Sequence, residues 1–193
     1  MHGLVNRSIQ SFLTRTRGRS VWAAIAETAG LDEDGFDILE VYDDAVTWVM
    51  LDAAAARLGL PRDMLIEDVG TFIVAHPELG ALRRLLRYGG PTYPDFLHAL
   101  AGLPDRARLA VATLELPVID VAEEAPSRFR LTLTGGPDGA GPFFLGILRA
   151  MADEYGVLAI VSLDQRGDRA TLTVDIADLD FADARAFAMG AAQ

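Results

Sequence analysis

Along the first 110 residues the apolar positions recur every three to four residues, which predicts a series of amphipathic helices. Val5, Ile9, Phe12 and Leu13 form one stripe and predict the first helix. A second carries Val21, Trp22 and Ile25, with Ser20 placed to cap its start and Gly30 to end it in a left-handed conformation. The acidic pair Asp43 and Asp44 suits a helix N-terminus and opens a third, expected to be firmly buried, through Val46, Val49, Met50 and Ala53 to Leu58. After Pro61 the stripe Leu65, Val69, Phe72 and Ile73 predicts a fourth, in which Gly70 is the weak point. A fifth follows Pro77, with Leu79, Leu82, Leu85 and Leu86 inside and Arg83, Arg84 and Arg87 on a solvated face. A sixth has Pro94 in its first turn and carries Phe96, Leu97, Leu100 and Leu103 as far as Pro104.

From about residue 113 the period falls to two, the signature of a half-buried strand. Phe129, Leu131 and Leu133 alternate with Arg130, Thr132 and Thr134, and Leu172, Val174 and Ile176 do likewise. Leu116 to Val121 and the run VLAIVSL from Val157 supply two further strands. Between them lie the glycine-rich loop GGPDGAG and a helix with Phe144, Ile147, Leu148 and Met151 on one side, closed near Gly156. The stretch QRGD makes a turn. With no repeat, low-complexity stretch or linker, the expectation is one α+β domain over residues 1–193. Residues 1–110 are mainly helical, 111–180 form a sheet with one helix, and 181–193 are a C-terminal tail.

Composition narrows the function. A length of 193 residues suits one well-buried core, and 51% hydrophobic against 23% charged residues excludes disorder. Lys and Arg total 17 against 28 Asp and Glu, and the resulting net charge of -11 repels a phosphate backbone, so nucleic acid is not an expected partner. No apolar stretch approaches the roughly 18 residues needed to span a bilayer, and no basic run flanks an apolar helix face, so no membrane binding is expected. Asn6, Ser8 and Gln10 interrupt the apolar run a signal peptide needs, which places the expected protein in the cytoplasm. The absence of cysteine excludes disulfides, thiolate catalysis and thiolate-held metals or haem.

Catalytic patterns are missing. There is no His-Glu-x-x-His, no Gly-x-Ser-x-Gly and no phosphate loop ending in Lys-Ser or Lys-Thr. The three histidines, His2, His76 and His98, are scattered, and a non-enzymatic protein is expected. The GGPDGAGP stretch before a helix is the best anion-binding candidate, but it lacks a basic residue and reads as an ordinary loop. Asp43 and Asp44 read as a helix cap, and Glu123 and Glu124 as a solvated strand end.

The order of segments resembles the haem-nitric oxide/oxygen binding (H-NOX) family. MHGLVNRSIQSFL is similar to that family's opening helix, VWAAIAETAGL to its second, and VYDDAVTWVMLDAAAARLGLPRDMLIEDVGTFIV to its third and fourth. RYGGPTYPDFLHAL is similar to the stretch leading into the helix that bears the iron ligand. The resemblance covers nearly the whole chain and weakens beyond about residue 176. It implies an H-NOX-like α+β fold, with a helical N-terminal part and a four-stranded antiparallel sheet with an inserted helix. It further implies a ferrous haem between the two parts, held by one histidine and by a Tyr-x-Ser-x-Arg clamp on the propionates. The implied partner is a signalling protein in trans, a histidine kinase or a cyclic-di-GMP enzyme.

Matching the family residue by residue puts Pro104, six positions after His98, where the ligand histidine falls. Proline has no atom that can coordinate iron, and it interrupts an established helix. From Arg128 to Glu154 there is no Tyr and no Ser, and Leu133, Gly135 and Pro137 occupy one register of the clamp. Pro117 matches the family's proline that presses on the haem plane, and Ile147 a distal-lining position, with Val5 and Ile9 completing an apolar lining. His98 is the fallback ligand, although on a continuous helix it lies about 120° round from position 104. His2 is near the family's distal helix, and Tyr88 and Tyr93, either side of the Gly-Gly turn, could ligate as tyrosinates, but packing roles are expected for them. Three readings follow: a sensory domain that does not bind haem in the family's way and signals through a partner; a nitric oxide or oxygen sensor holding haem by another axial residue; and an interaction module whose pocket is filled by Phe129, Phe143 or Phe144.

Overall fold

The computed structural model describes residues 1–76, 86 and 88–179. Four helices come first: α1 (Gly3–Arg17), α2 (Arg19–Ala29), α3 (Asp44–Leu58) and α4 (Arg62–Ala75). Gly30 and Gly59 close α2 and α3 with left-handed backbone at φ 66° and 65°, which satisfies terminal carbonyls. Asp43 caps α3 by accepting the Ala45 N–H. Ser20 does not cap α2; Gly18, at φ 96°, turns the chain directly out of α1 so that Arg19 already lies in the next helix. Val49 also differs from expectation, being half exposed on a helix whose buried face is Thr47, Met50, Leu51 and Ala54. The expected fifth helix and the tail lie outside the described residues, except for Leu86, which is buried.

The sixth expected helix is three pieces. Helix α5 (Tyr93–Ala99) opens with a capping box in which the Thr92 hydroxyl accepts the Asp95 N–H and the Asp95 carboxylate accepts the Thr92 N–H. A 3-10 turn over Leu100–Gly102 follows, and α6 (Leu103–Ala110) then starts with Pro104 in its first turn. Proline cannot donate to the carbonyl four residues back, so the chain tightens and restarts there.

Strands β1 (Val118–Ala125), β2 (Arg128–Thr134), β3 (Leu158–Arg166) and β4 (Arg169–Asp178) form one antiparallel sheet in the order β1-β2-β4-β3. The first begins two residues later than its sequence pattern predicts, because Leu116 and the buried Pro117 precede the ladder. Since β2 and β3 both run antiparallel to β4, they are parallel to each other, and helix α7 (Ala140–Tyr155) is their crossover.

Two apolar clusters result. The sheet-side cluster joins α5, α6 and α7 to the inner faces of β2 and β4, and includes Tyr93, Phe96, Phe129, Leu131, Phe144, Leu148 and Leu172. The helical cluster joins α1 to α4 through Ile9, Phe12, Leu13, Trp22, Met50 and Phe72. Phe143 packs against both. The halves meet along α4 and α7, where glycine allows backbone-to-backbone approach: a Cβ on Gly70 would lie 2.2 Å from the Phe143 carbonyl oxygen, and one on Gly146 would lie 2.0 Å from that of Glu67. Gly70 is therefore a packing requirement rather than a weakness.

Candidate functional site

The region where the resemblance places a haem is built from α5, α6, α7 and the inner sheet face. Pro104 is buried at the start of α6, its ring held within the fold. The helix break strands carbonyls that a continuous helix would satisfy. Leu103 N–H closes a tight turn onto Leu100 O, and the Arg106 guanidinium swings back to donate to Ala99 O at 2.9 Å. A cation at the broken end also complements the local dipole. Nothing in the residue pattern signals this role of Arg106, because the bond spans a turn whose shape only the fold defines.

The other matched positions divide between the two clusters. Ile147 is buried in the sheet-side cluster, Ile9 is buried in the helical one, and Val5 packs half-buried against the latter. Pro117 is buried against the glycine loop; a Cβ on Gly136 would lie 2.7 Å from the Pro117 nitrogen. Gly139 likewise approaches the Ile66 side chain. Those close approaches account for Gly136 and Gly139, and a left-handed backbone at φ 67° accounts for Gly135, without an anion.

The histidines are engaged away from position 104. His98 lies half exposed, its Nε2 3.0 Å from a Glu123 carboxylate oxygen and its ring edge-on to Phe129 at 5.3 Å. The rotation expected for His98 holds only on a continuous helix; the turn at 100–102 removes that premise, and the Glu123 pairing is what aims the imidazole toward β1. His2 is buried, and its Nδ1 accepts the Leu4 N–H and caps α1. The His76 ring lies against Phe72 at the end of α4, with centroids 4.6 Å apart and planes tilted by 43°. Of the two tyrosines beside the Gly-Gly turn, Tyr88 is exposed.

Tyr93 is fully buried, and its hydroxyl donates to Leu148 O at 2.9 Å, tying α5 to α7. Burial first, and the Asp153 carboxylate second, push its ionisation far above the ordinary tyrosine value. The sign follows: above about pH 10 the unfolded chain releases a proton that the fold retains, so stability falls as pH rises further. The alkaline arm of the stability-pH curve is expected to flatten in Tyr93→Phe, which also loses about 1 kcal/mol at neutral pH with the hydrogen bond. Urea titrations between pH 8 and 11 check this, and an unchanged alkaline slope contradicts it.

The arginines that could clamp a propionate point away. Arg128 and Arg130, flanking the inward Phe129, both pair with Glu124 on the outer sheet face, and Arg128 also pairs with Asp175. The Arg130 hydrogen bond, aided by the charge of both guanidiniums, lowers the Glu124 carboxyl below its ordinary range. Glu123 and Glu124 are thus paired, not merely solvated. Arg149 pairs with Glu67 of α4 and donates to Val161 O at 3.1 Å on the free edge of β3. Among the described residues no group of three His, Asp or Glu could hold a metal ion, and no helix is long and apolar enough to cross a membrane. The residues present do not fit haem held as the resemblance implies: the ligand position has no donor atom, and the clamp has neither hydroxyls nor an inward guanidinium.

Comparison with known proteins defines the class. The chain belongs to the Haem-NO-binding (HNOB) family, whose sequence profile matches residues 2–161. Its fold is that of H-NOX domains. A point mutant of the T. Tengcongensis H-NOX superposes with a TM-score of 0.79 at 14% identity, covering 92% of this chain and 98% of that one. An S. oneidensis H-NOX protein in the Fe(II)NO ligation state gives 0.75 at 17% identity, with 92% and 100% covered. Among curated proteins, the soluble guanylate cyclase gcy-31 of Caenorhabditis elegans is 26% identical over 133 residues, covering 69% of this chain. The cyclase gcy-34 of the same organism is 27% identical over 104 residues, covering 53%. The matches span only 19% and 15% of those two proteins.

Proposed function

We propose that this chain is a non-enzymatic sensory or regulatory H-NOX domain that does not bind haem in the family's way and acts by contacting a signalling protein in trans. The observation that carries the reading is Pro104, a buried ring without a donor atom at the ligand position, which starts a new helix rather than continuing the old one. Pro117, Ile147, Val5 and Ile9 are then apolar wall without polar anchors. The family suggests a histidine kinase or a cyclic-di-GMP enzyme as the partner, by analogy of fold.

Hemin added to the purified protein under reducing conditions tests this. The expected spectrum, before and after nitric oxide is added, is the one that free hemin gives under the same conditions. A sharp Soret band that shifts with nitric oxide would instead establish the second reading, a gas sensor with another axial residue, and His98→Ala would then identify or eliminate the fallback ligand.

A more restrictive form, an interaction module with a filled pocket, draws on a specific packing observation. Phe129 and Phe144 are essentially inaccessible and share one cluster with Leu100 and Leu103, on the two sides of the break. That burial favours a filled interior over an open cleft for a planar macrocycle. Function then passes to the surface.

A further inference from the structure

The loop between α2 and α3 presents an apolar patch that no described residue covers. Ile38 is 49% exposed, Leu39 84% and Val41 64%. A mobile loop could turn such side chains inward, but this one is tied down along its length. Phe36 and Tyr42 point inward and meet edge-on at 5.2 Å. The Trp22 indole N–H donates to Glu33 O at 2.9 Å, Arg7 donates to Asp34 O at 3.1 Å, and Gly3 N–H donates to Glu40 O at 2.8 Å. Tyr42 hydroxyl accepts the Asp37 N–H, and Tyr42 N–H donates to Met1 O, both at 2.9 Å. Gly3 lets the loop lie directly on α1, since a Cβ there would sit 1.9 Å from Asp37 O. The apolar tip is therefore held out in a fixed shape, and a partner would not have to order it.

Charge selects the occupant. Residues 32–44 carry seven carboxylates and no Lys, Arg or His, within a chain of net charge -11. Such a surface repels anionic membranes and nucleic acid, and attracts cations at long range. An exposed apolar cluster rimmed by charge of one sign complements a segment with an apolar stripe and flanking Lys or Arg. We propose that the loop centred on Ile38, Leu39 and Val41 is the docking surface for a basic amphipathic segment of the partner protein, with Asp37 and Glu40 facing its cations. This rests on reading the chain as a partner-contacting domain, and adds the surface and the chemistry it selects.

A helical peptide with leucines on one face and lysines on the other is the probe, titrated into the 15N-labelled full chain. Binding is expected to shift the Trp22 indole N–H resonance, which reports on the loop through Glu33. The double variant Ile38→Ser with Leu39→Ser is expected to weaken binding at least tenfold. Leu109→Ser, at a side chain 90% exposed on α6, should leave it unchanged. The same peptide with glutamates for lysines should not bind. Equal affinity across the variants, a comparable loss in Leu109→Ser, or an unmoved Trp22 resonance would overturn the assignment. Sedimentation with phosphatidylcholine vesicles that is lost in Leu39→Ser would also overturn it, in favour of a membrane. Hemin spectroscopy reads the interior and this titration reads the loop, so either result can fail without the other.

Discussion

Phe129→Ala is expected to lower the unfolding free energy by about 4 kcal/mol, near the top of the range for deleting a buried phenyl ring. Phe129 has no exposed surface, and its strand is paired on both sides, with β1 and with β4. A backbone held by two ladders cannot slump into the space that the ring vacates, so the cavity persists. The ring also supports His98 edge-on, and that contact goes with it. Urea unfolding at neutral pH measures the loss. A change below about 1.5 kcal/mol would mean that the cleft is loosely filled and can close on itself. The cavity carries a functional corollary: an apolar void of this kind stays dry and accepts small apolar molecules, so the variant is expected to gain affinity for benzene or xenon that the parent lacks.

Gly146→Ala is expected to cost about 2 to 3 kcal/mol even though alanine is the better helix former by about 1 kcal/mol. The added methyl would meet Glu67 O at 2.0 Å and Thr71 N at 2.9 Å. Both neighbours are backbone, so no side chain can move aside, and the helices must separate. Gly70 imposes the same condition from the other side, against Phe143 O. At about 2 to 4 °C per kcal/mol for a domain of this size, the melting temperature should fall by roughly 8 °C. An unchanged melting temperature would show that α4 and α7 do not approach so closely. Because this crossing joins the helical half to the sheet half, Gly146→Val should be worse still and leave little folded protein.

The substitution at position 104 is legible in the residues alone, since the phrases on either side resemble a known order and the residue between them cannot coordinate iron. The missing clamp is legible for the same reason. That Phe129 and Phe144 share one buried cluster is not, because it depends on how β2 and α7 are apposed. The role of Arg106 is equally hidden: its partner, Ala99 O, exists as an orphan only once the helix has broken. His98 shows the opposite failure, since an angle on an ideal helix does not carry across a segment that is not one helix.

Periodicity by itself determined where helices give way to strands and which face of β2, β4 and α7 is buried, because burial of a face is written locally as a spacing of 3.6 or 2 residues. The tertiary structure alone decided how closely α4 and α7 approach, that an apolar loop tip is held out of the core, and which groups receive the carbonyls stranded beside Pro104. Those outcomes depend on distances between atoms far apart in the chain, and a pattern of residue types carries no distances.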